Sequence, residues 1–155
     1  MQRSTARSRT ENDANENDVI TVARYSSLFL RLALGASFLS AVADRFGLWG
    51  SYGRPHVAWG AFDRFVQYTG QLNWFLPHAF IKPMAWTATA LETVLGLLLL
   101  IGLYPRIVAV AAGLLLLAFA ITMTLALGVK VPLDLSVFSA SAGAFLLAAI
   151  SRRGR

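Results

Sequence analysis

The chain has 155 residues, of which 56% are hydrophobic and 14% charged, and this balance is too apolar for a soluble domain of that length. A net charge of +6 does not indicate nucleic-acid binding, because the basic residues stand singly between apolar segments and at the chain ends. The lack of cysteine excludes disulfides, thiol relays, iron–sulfur clusters and covalently attached haem. The composition predicts one small membrane domain surrounded by lipid.

The first 22 residues are rich in Arg, Ser, Asn and acids. They lack the apolar core of a signal peptide, and their acids argue against a transit peptide. We interpret residues 1–22 as a disordered cytoplasmic tail and residues 23–151 as the transmembrane domain.

Four apolar stretches follow the tail, at residues 25–43, 84–103, 107–127 and 135–150. About 20 residues at a rise of about 1.5 Å cross a hydrocarbon core of about 30 Å, so the first three stretches suffice and the fourth is short. The short connections after the second and third stretches make successive spans antiparallel neighbours. The sequence predicts an all-α integral membrane four-helix bundle.

Basic residues set the predicted orientation of the bundle. An even number of spans puts both termini on one side, and Arg24, Arg106, Arg152, Arg153 and Arg155 lie on that side. Because cytoplasmic ends carry an excess of Arg and Lys, we predict a multi-pass protein of the bacterial inner membrane with both termini in the cytoplasm.

The long loop at residues 44–83 is predicted to lie outside and to contain an amphipathic helix on the membrane surface. Apolar positions recur there at helical spacing, namely Ala58, Phe62, Phe65, Val66 and Thr69. All four tryptophans lie at the same membrane face and form an aromatic belt or a lid. Pro77 and Pro83 are predicted to break the chain before the second span begins.

Glu92, inside the second span, is the clearest candidate functional residue. A carboxylate at mid-membrane costs about 2.5 to 3.5 kcal/mol even on the insertion scale, so it needs a partner, a water-filled cavity or a proton. Small or polar residues share its helix face, which predicts that this face points into the bundle: Ala85, Ala88, Thr89 and Gly96. Two interpretations stay open, a proton carrier or headgroup ligand on one side and a structural ion pair on the other.

Two cations of the first span are candidate partners for Glu92. Side chains lean toward the N-terminus of their own helix, so Arg45 leans inward and Glu92, on an antiparallel helix, leans outward to meet it. Arg31 leans away, and we predict that it snorkels to the cytoplasmic headgroups. Asp44 is adjacent to Arg45 and therefore points to a different side of the helix end.

The histidines do not suggest a metal or haem site. His56 and His78 both fall in the predicted outer loop, whereas a metal site needs several clustered ligands and a haem needs an axial ligand facing the bundle. No metal ligand and no catalytic residue is assigned from the sequence.

Two segments, Arg31 to Gly50 and Leu91 to Arg106, resemble the DoxX family of small four-helix bacterial membrane proteins. The likeness extends over about residues 24–150 and lies in span order, in Gly35 and Phe38, in the basic residue closing the first span, and in the Leu run after Glu92. Many members of that family carry a His before the basic residue, where this chain has Ala41 and Val42.

The resemblance implies an accessory, quinone-interacting subunit of a membrane redox system, with an oxidoreductase as partner protein and a quinone as ligand. The cleft would be bounded by Arg45, Trp49, Trp86 and Glu92, with Asp44 beside it. Two alternatives stay open, a small-solute transport module that would have to form a homo-oligomer, and a purely structural assembly subunit.

Overall fold

A computed structural model describes residues 2–151 of the chain, with side chains from residue 16 onward. These residues form six helices: α1 (Gln2–Arg45), α2 (Phe62–Leu72), α3 (His78–Ile101), α4 (Pro105–Leu127), α5 (Lys130–Asp134) and α6 (Val137–Ile150). The described residues contain no strand, so the predicted all-α class is confirmed. The basic cluster Arg152, Arg153 and Arg155, on which the predicted orientation partly depends, lies outside them.

Three helices have the length and apolarity to cross a membrane: the part of α1 from Glu16 to Arg45, α3 and α4. The fourth predicted span corresponds to α6, which is apolar but has only 14 residues. The amphipathic helix predicted within residues 44–83 is present as α2, a few residues later than the spacing predicted. We call the end of the bundle at which α1 finishes the outer end, after the predicted topology, which stays a prediction.

The first helix extends beyond the predicted span at its N-terminal end. It begins at Gln2, and no glycine or proline occurs before Gly35 to end it. The segment interpreted as a disordered tail is therefore helical in the structure from Gln2. The division of the chain at residue 22 into tail and membrane domain stays a prediction.

Pro83 does not end the helix, contrary to the sequence prediction. Helix α3 begins at His78, directly after Pro77, and contains Pro83. At that position proline removes one intrahelical hydrogen bond near the start of the helix, and the long apolar run that follows still packs as one helix. As a result His78 is the first residue of α3 rather than a loop residue.

The helices pack in two pairs, α1 against α3 and α4 against α6. Their shared core is apolar and close-packed, and its buried members include Leu34, Phe38, Leu99, Ala112 and Leu147. A second, smaller apolar cluster joins α2 to the outer end of α3, through Phe65, Ala85 and Ala88. The surface helix α2 therefore covers the end of the bundle where α1 finishes.

Candidate functional site: a buried ion pair under the outer helix

Arg45 and Glu92 form an ion pair that is closed to solvent. Nη2 of Arg45 donates to both carboxylate oxygens of Glu92, at 2.7 Å each. Arg45 is 2% exposed and Glu92 1% exposed. The pairing expected from the antiparallel helices is therefore present, and the acid needs no proton or cavity to be accommodated in the bundle.

A threonine and an aromatic ring complete the surroundings of the guanidinium. Nη1 of Arg45 donates to Thr89 Oγ1 at 2.8 Å, and that hydroxyl donates to the backbone oxygen of Ala85, one turn earlier in α3. The Phe65 ring lies against the guanidinium with its centroid 3.6 Å from Cζ, and Trp59 is 5.4 Å away. The pair therefore connects α1, α3 and α2 at one point.

Two glycines let α1 and α3 approach closely below the pair. A Cβ on Gly35 would lie 2.9 Å from the backbone oxygen of Gly96, and a Cβ on Gly96 would lie 3.2 Å from that of Gly35. Small residues at such a crossing allow backbones to meet in a membrane. The crossing lies one turn below Glu92 and brings α3 to the distance at which Arg45 can reach it.

Asp44 points away from the ion pair, as expected for a neighbour on a helix, and organises the outer loop. Its Oδ2 accepts hydrogen bonds from the backbone N–H groups of Ala58 and Trp59, at 2.9 and 3.0 Å. The other oxygen, Oδ1, is buried and has no partner in the structure. Adjacent residues at the end of α1 thus hold two different elements, the loop and α3.

The two tryptophans predicted to border a cleft contact different helices. Trp49 donates its indole N–H to the backbone oxygen of Ser40, at 3.1 Å, and so lies back along α1. Trp86 packs against Phe62 with ring centroids 4.3 Å apart, and Phe46 stacks on the same ring. The structure thus brings Arg45 to Glu92 but does not join Trp49 and Trp86 to them, and a ligand-binding role for these residues stays a prediction.

An open groove of about 630 Å³ runs along the outer half of α1. Its floor is made by small side chains, Ala36, Ser37, Ser40 and Ala41, and Asp44 and Trp49 stand at its outer end. His56 completes the rim. Of the residues predicted from the sequence, Asp44 and Trp49 line this groove, whereas Arg45, Glu92 and Trp86 do not.

Arg31 lies at the opposite end of the bundle from the ion pair. Its guanidinium lies so close to Gly102 that a Cβ there would be 2.5 Å from Nη1. Gly102 is the left-handed C-cap of α3, where the last carbonyl groups carry partial negative charge. Arg31 is therefore directed away from Glu92, and its guanidinium contacts the C-terminal end of α3. Its predicted snorkelling to lipid headgroups stays a prediction.

Residues 16–151 contain no group of three or more His, Asp or Glu arranged to hold a metal ion. Burial raises the pKa of Tyr68, on α2 outside the spans, so this phenol stays neutral at ordinary pH.

The family model for methylamine utilisation protein MauE matches residues 23–134. The chain belongs to the MauE family. No curated protein and no solved structure matches the chain. The match begins where the predicted membrane domain begins and includes α2, α3, α4 and all the residues that build the ion pair and the groove.

This membership corrects the resemblance to the DoxX family. The features that suggested DoxX were the span order, Gly35 and Phe38, a basic residue closing a span and a Leu-rich run, which any small bundle of apolar helices can share. With DoxX set aside, the sequence no longer supplies a reason for a quinone. The chain is a membrane protein with helical spans, and it belongs to a family named for methylamine utilisation.

The sequence missed the contacts that α2 makes with the pair. In the sequence, Phe65 belongs only to an amphipathic pattern and Trp59 only to a predicted aromatic belt. No signal in the sequence places α2 there, because residues 46–61 separate it from the end of α1 and the path of that loop decides where α2 packs. The sequence predicts that Thr89 belongs to the polar face of α3, but it does not predict the hydrogen bond that Thr89 accepts from Arg45.

Proposed function

We propose that this protein is a non-catalytic membrane accessory of a methylamine-oxidising system, and that it works by assembling with the proteins of that system. The observation that carries the proposal is the closed state of its polar centre. Both oxygens of Glu92 are bonded to Arg45, and neither residue lines the groove on α1. A proton carrier or a quinone ligand needs access to its substrate, and this pair has none.

Membership of the MauE family supports an accessory role in amine oxidation. Methylamine utilisation requires oxidation of an amine, so a membrane protein of this family is expected to serve redox chemistry performed by another chain. The buried pair fixes the register of α1 and α3 and seats α2 on them. Of the hypotheses from the sequence, the structural assembly subunit fits this geometry better than the quinone-binding one or the transport module.

The experiment is a gene deletion in a bacterium that grows on methylamine. Deletion is expected to abolish growth on methylamine as sole carbon source while growth on succinate continues, and a plasmid copy is expected to restore growth. The purified chain in detergent is expected to oxidise no methylamine with an artificial electron acceptor. Normal growth of the deletion strain on methylamine, or turnover by the purified chain, would contradict the proposal.

The proposal also places α2 and the outer loop outside the cytoplasm and both termini inside. Because the chain has no cysteine, a single introduced cysteine reports its own side of the membrane. Ser51→Cys, in the exposed outer loop, is expected to react with a membrane-impermeant maleimide on spheroplasts. Leu103→Cys, in the turn between α3 and α4, is expected to react only after lysis. The reverse pattern would invert the topology.

A further inference from the structure

The groove on α1 has two features that the proposed function does not use. Its floor consists of small side chains on the outer half of a membrane span, and Ala36, Ser37 and Ser40 are exposed. Its volume, about 630 Å³, falls in the range of ligand sites in proteins, about 300 to 1,000 Å³. A helix face in contact with hydrocarbon and indented in this way accepts an apolar chain lying along the helix.

The second feature is an unsatisfied acid at the outer end of the groove. Asp44 is 6% exposed, and its Oδ2 is held by two backbone N–H groups of the loop. Its Oδ1 is buried without a hydrogen-bond partner, and no cation among residues 16–151 forms an ion pair with it. A buried carboxylate oxygen without a donor is costly, so a ligand that brings an N–H group and a positive charge gains from meeting it.

The position of Asp44 suits a lipid headgroup. Asp44 is the penultimate residue of α1, and Trp49 beside it has the amphipathic side chain that proteins place at the membrane interface. From Ala36 to Asp44 the helix rises by about 12 Å, at about 1.5 Å per residue. A ligand spanning the groove therefore has an apolar part in the hydrocarbon and a polar part at the surface.

We propose that the groove binds a phospholipid whose headgroup ends in a primary ammonium, of the phosphatidylethanolamine type. One acyl chain lies over the small residues of α1, and the ammonium group donates to the carboxylate of Asp44, which lines the groove at its outer end. A choline headgroup carries the same charge but has no N–H to donate, and a glycerol headgroup brings no positive charge. Recognition therefore requires the donor and not the apolar chain alone. This inference does not depend on the proposed function.

The test measures which lipid stays bound. The purified full chain is equilibrated in mixed detergent micelles with equal amounts of phosphatidylethanolamine, phosphatidylcholine and phosphatidylglycerol of identical acyl chains, and retained lipid is counted by native mass spectrometry. Retention of the ethanolamine lipid is expected to exceed that of each other lipid by about tenfold, as a charge-assisted hydrogen bond allows.

Asp44→Asn separates the headgroup contact from the structure of the loop. Its amide oxygen still accepts the hydrogen bonds from Ala58 and Trp59, while its NH₂ group replaces Oδ1. The preference for ethanolamine is expected to disappear. Asp63→Asn, which changes the net charge equally at an exposed position of α2, is expected to keep the preference.

Ser40→Leu fills the floor of the groove and leaves the backbone oxygen that accepts from Trp49. This variant is expected to lose all three lipids, which tests the site even if Asp44→Asn fails to fold. Equal retention of the ethanolamine and choline lipids, an unchanged preference in Asp44→Asn, or a quinone held in the groove in place of lipid would overturn the proposal.

Discussion

Replacing Glu92 by glutamine is expected to lower the free energy of unfolding by about 3 to 5 kcal/mol, and Arg45→Gln is expected to do the same. Each change leaves the other charge buried without its partner, since both residues are almost completely inaccessible and bonded mainly to one another. Arg45→Gln also loses the contacts with Thr89 and Phe65. Its effect is therefore expected to be the larger of the two.

The double variant Arg45→Gln/Glu92→Gln is expected to be less harmful than the sum of the single variants, because it leaves no unpaired charge in the bundle. Thermal unfolding in detergent, followed by circular dichroism, measures all three proteins and gives the coupling between the two residues. Additive effects would show that Arg45 and Glu92 do not interact.

The ion pair of Lys130 and Asp134 is the matched control. It joins opposite charges four residues apart in the chain, but both side chains are mostly exposed. Removing either partner is expected to change the free energy of unfolding by at most about 0.5 kcal/mol, because water and salt already stabilise exposed charges. A comparable loss at this pair would mean that burial is not the source of the effect at Glu92.

Gly35→Ala is expected to cost about 1 to 3 kcal/mol, the usual cost of overpacking a close contact. The added Cβ would lie 2.9 Å from a backbone oxygen of α3, which cannot move aside as a flexible side chain does. The two helices would have to separate, and the separation is expected to lengthen and weaken the hydrogen bonds between Arg45 and Glu92. Thermal unfolding, together with cross-linking of cysteines introduced across the α1–α3 contact, measures both consequences.

Gly70→Ala is the control for this substitution. Gly70 lies within α2, and a Cβ there would meet only Ile81, at an ordinary distance of 3.5 Å. Because alanine favours a helix over glycine by up to about 1 kcal/mol, this change is expected to be neutral or stabilising. If Gly35→Ala were equally harmless, the close crossing of α1 and α3 would not limit the packing of the bundle.

The ion pair could be predicted from the sequence because only a few charged residues lie within the spans. Two antiparallel spans, one acid within the second and two cations in the first leave two possible pairs, and the direction in which side chains lean selects Arg45. Adjacency within a helix places Asp44 on a different side of α1 from Arg45. These contacts depend on helix geometry alone, which apolar length and spacing determine well.

The surroundings of the pair could not be predicted, because they depend on the path of the outer loop. Backbone hydrogen bonds from Ala58 and Trp59 to Asp44 fold that loop back onto α1, and α2 then places Phe65 over the guanidinium. The sequence predicts that the four tryptophans share a membrane face, but it does not tell which side of a helix each occupies. In the structure Trp49 contacts α1, whereas Trp86 packs against Phe62 of α2.

The family could not be predicted from the residue patterns either. Leucine-rich spans resemble one another across unrelated membrane families, since the hydrocarbon core requires the same composition of all of them. The order of spans gave the correct fold, while the DoxX resemblance gave the wrong family. Residues that bind a partner or a ligand on the surface of the bundle follow no regular spacing, so the sequence pattern does not reveal them.

The most direct test of a structural rather than chemical role for the pair is growth on methylamine of the deletion strain carrying the Arg45→Gln/Glu92→Gln double variant. Membrane levels of the variant are matched to wild type by immunoblot. If the pair only holds α1, α2 and α3 together, the folded double variant restores growth close to the wild-type rate. Loss of growth at wild-type levels of folded protein would show that the charges themselves take part in the chemistry, and would contradict the account.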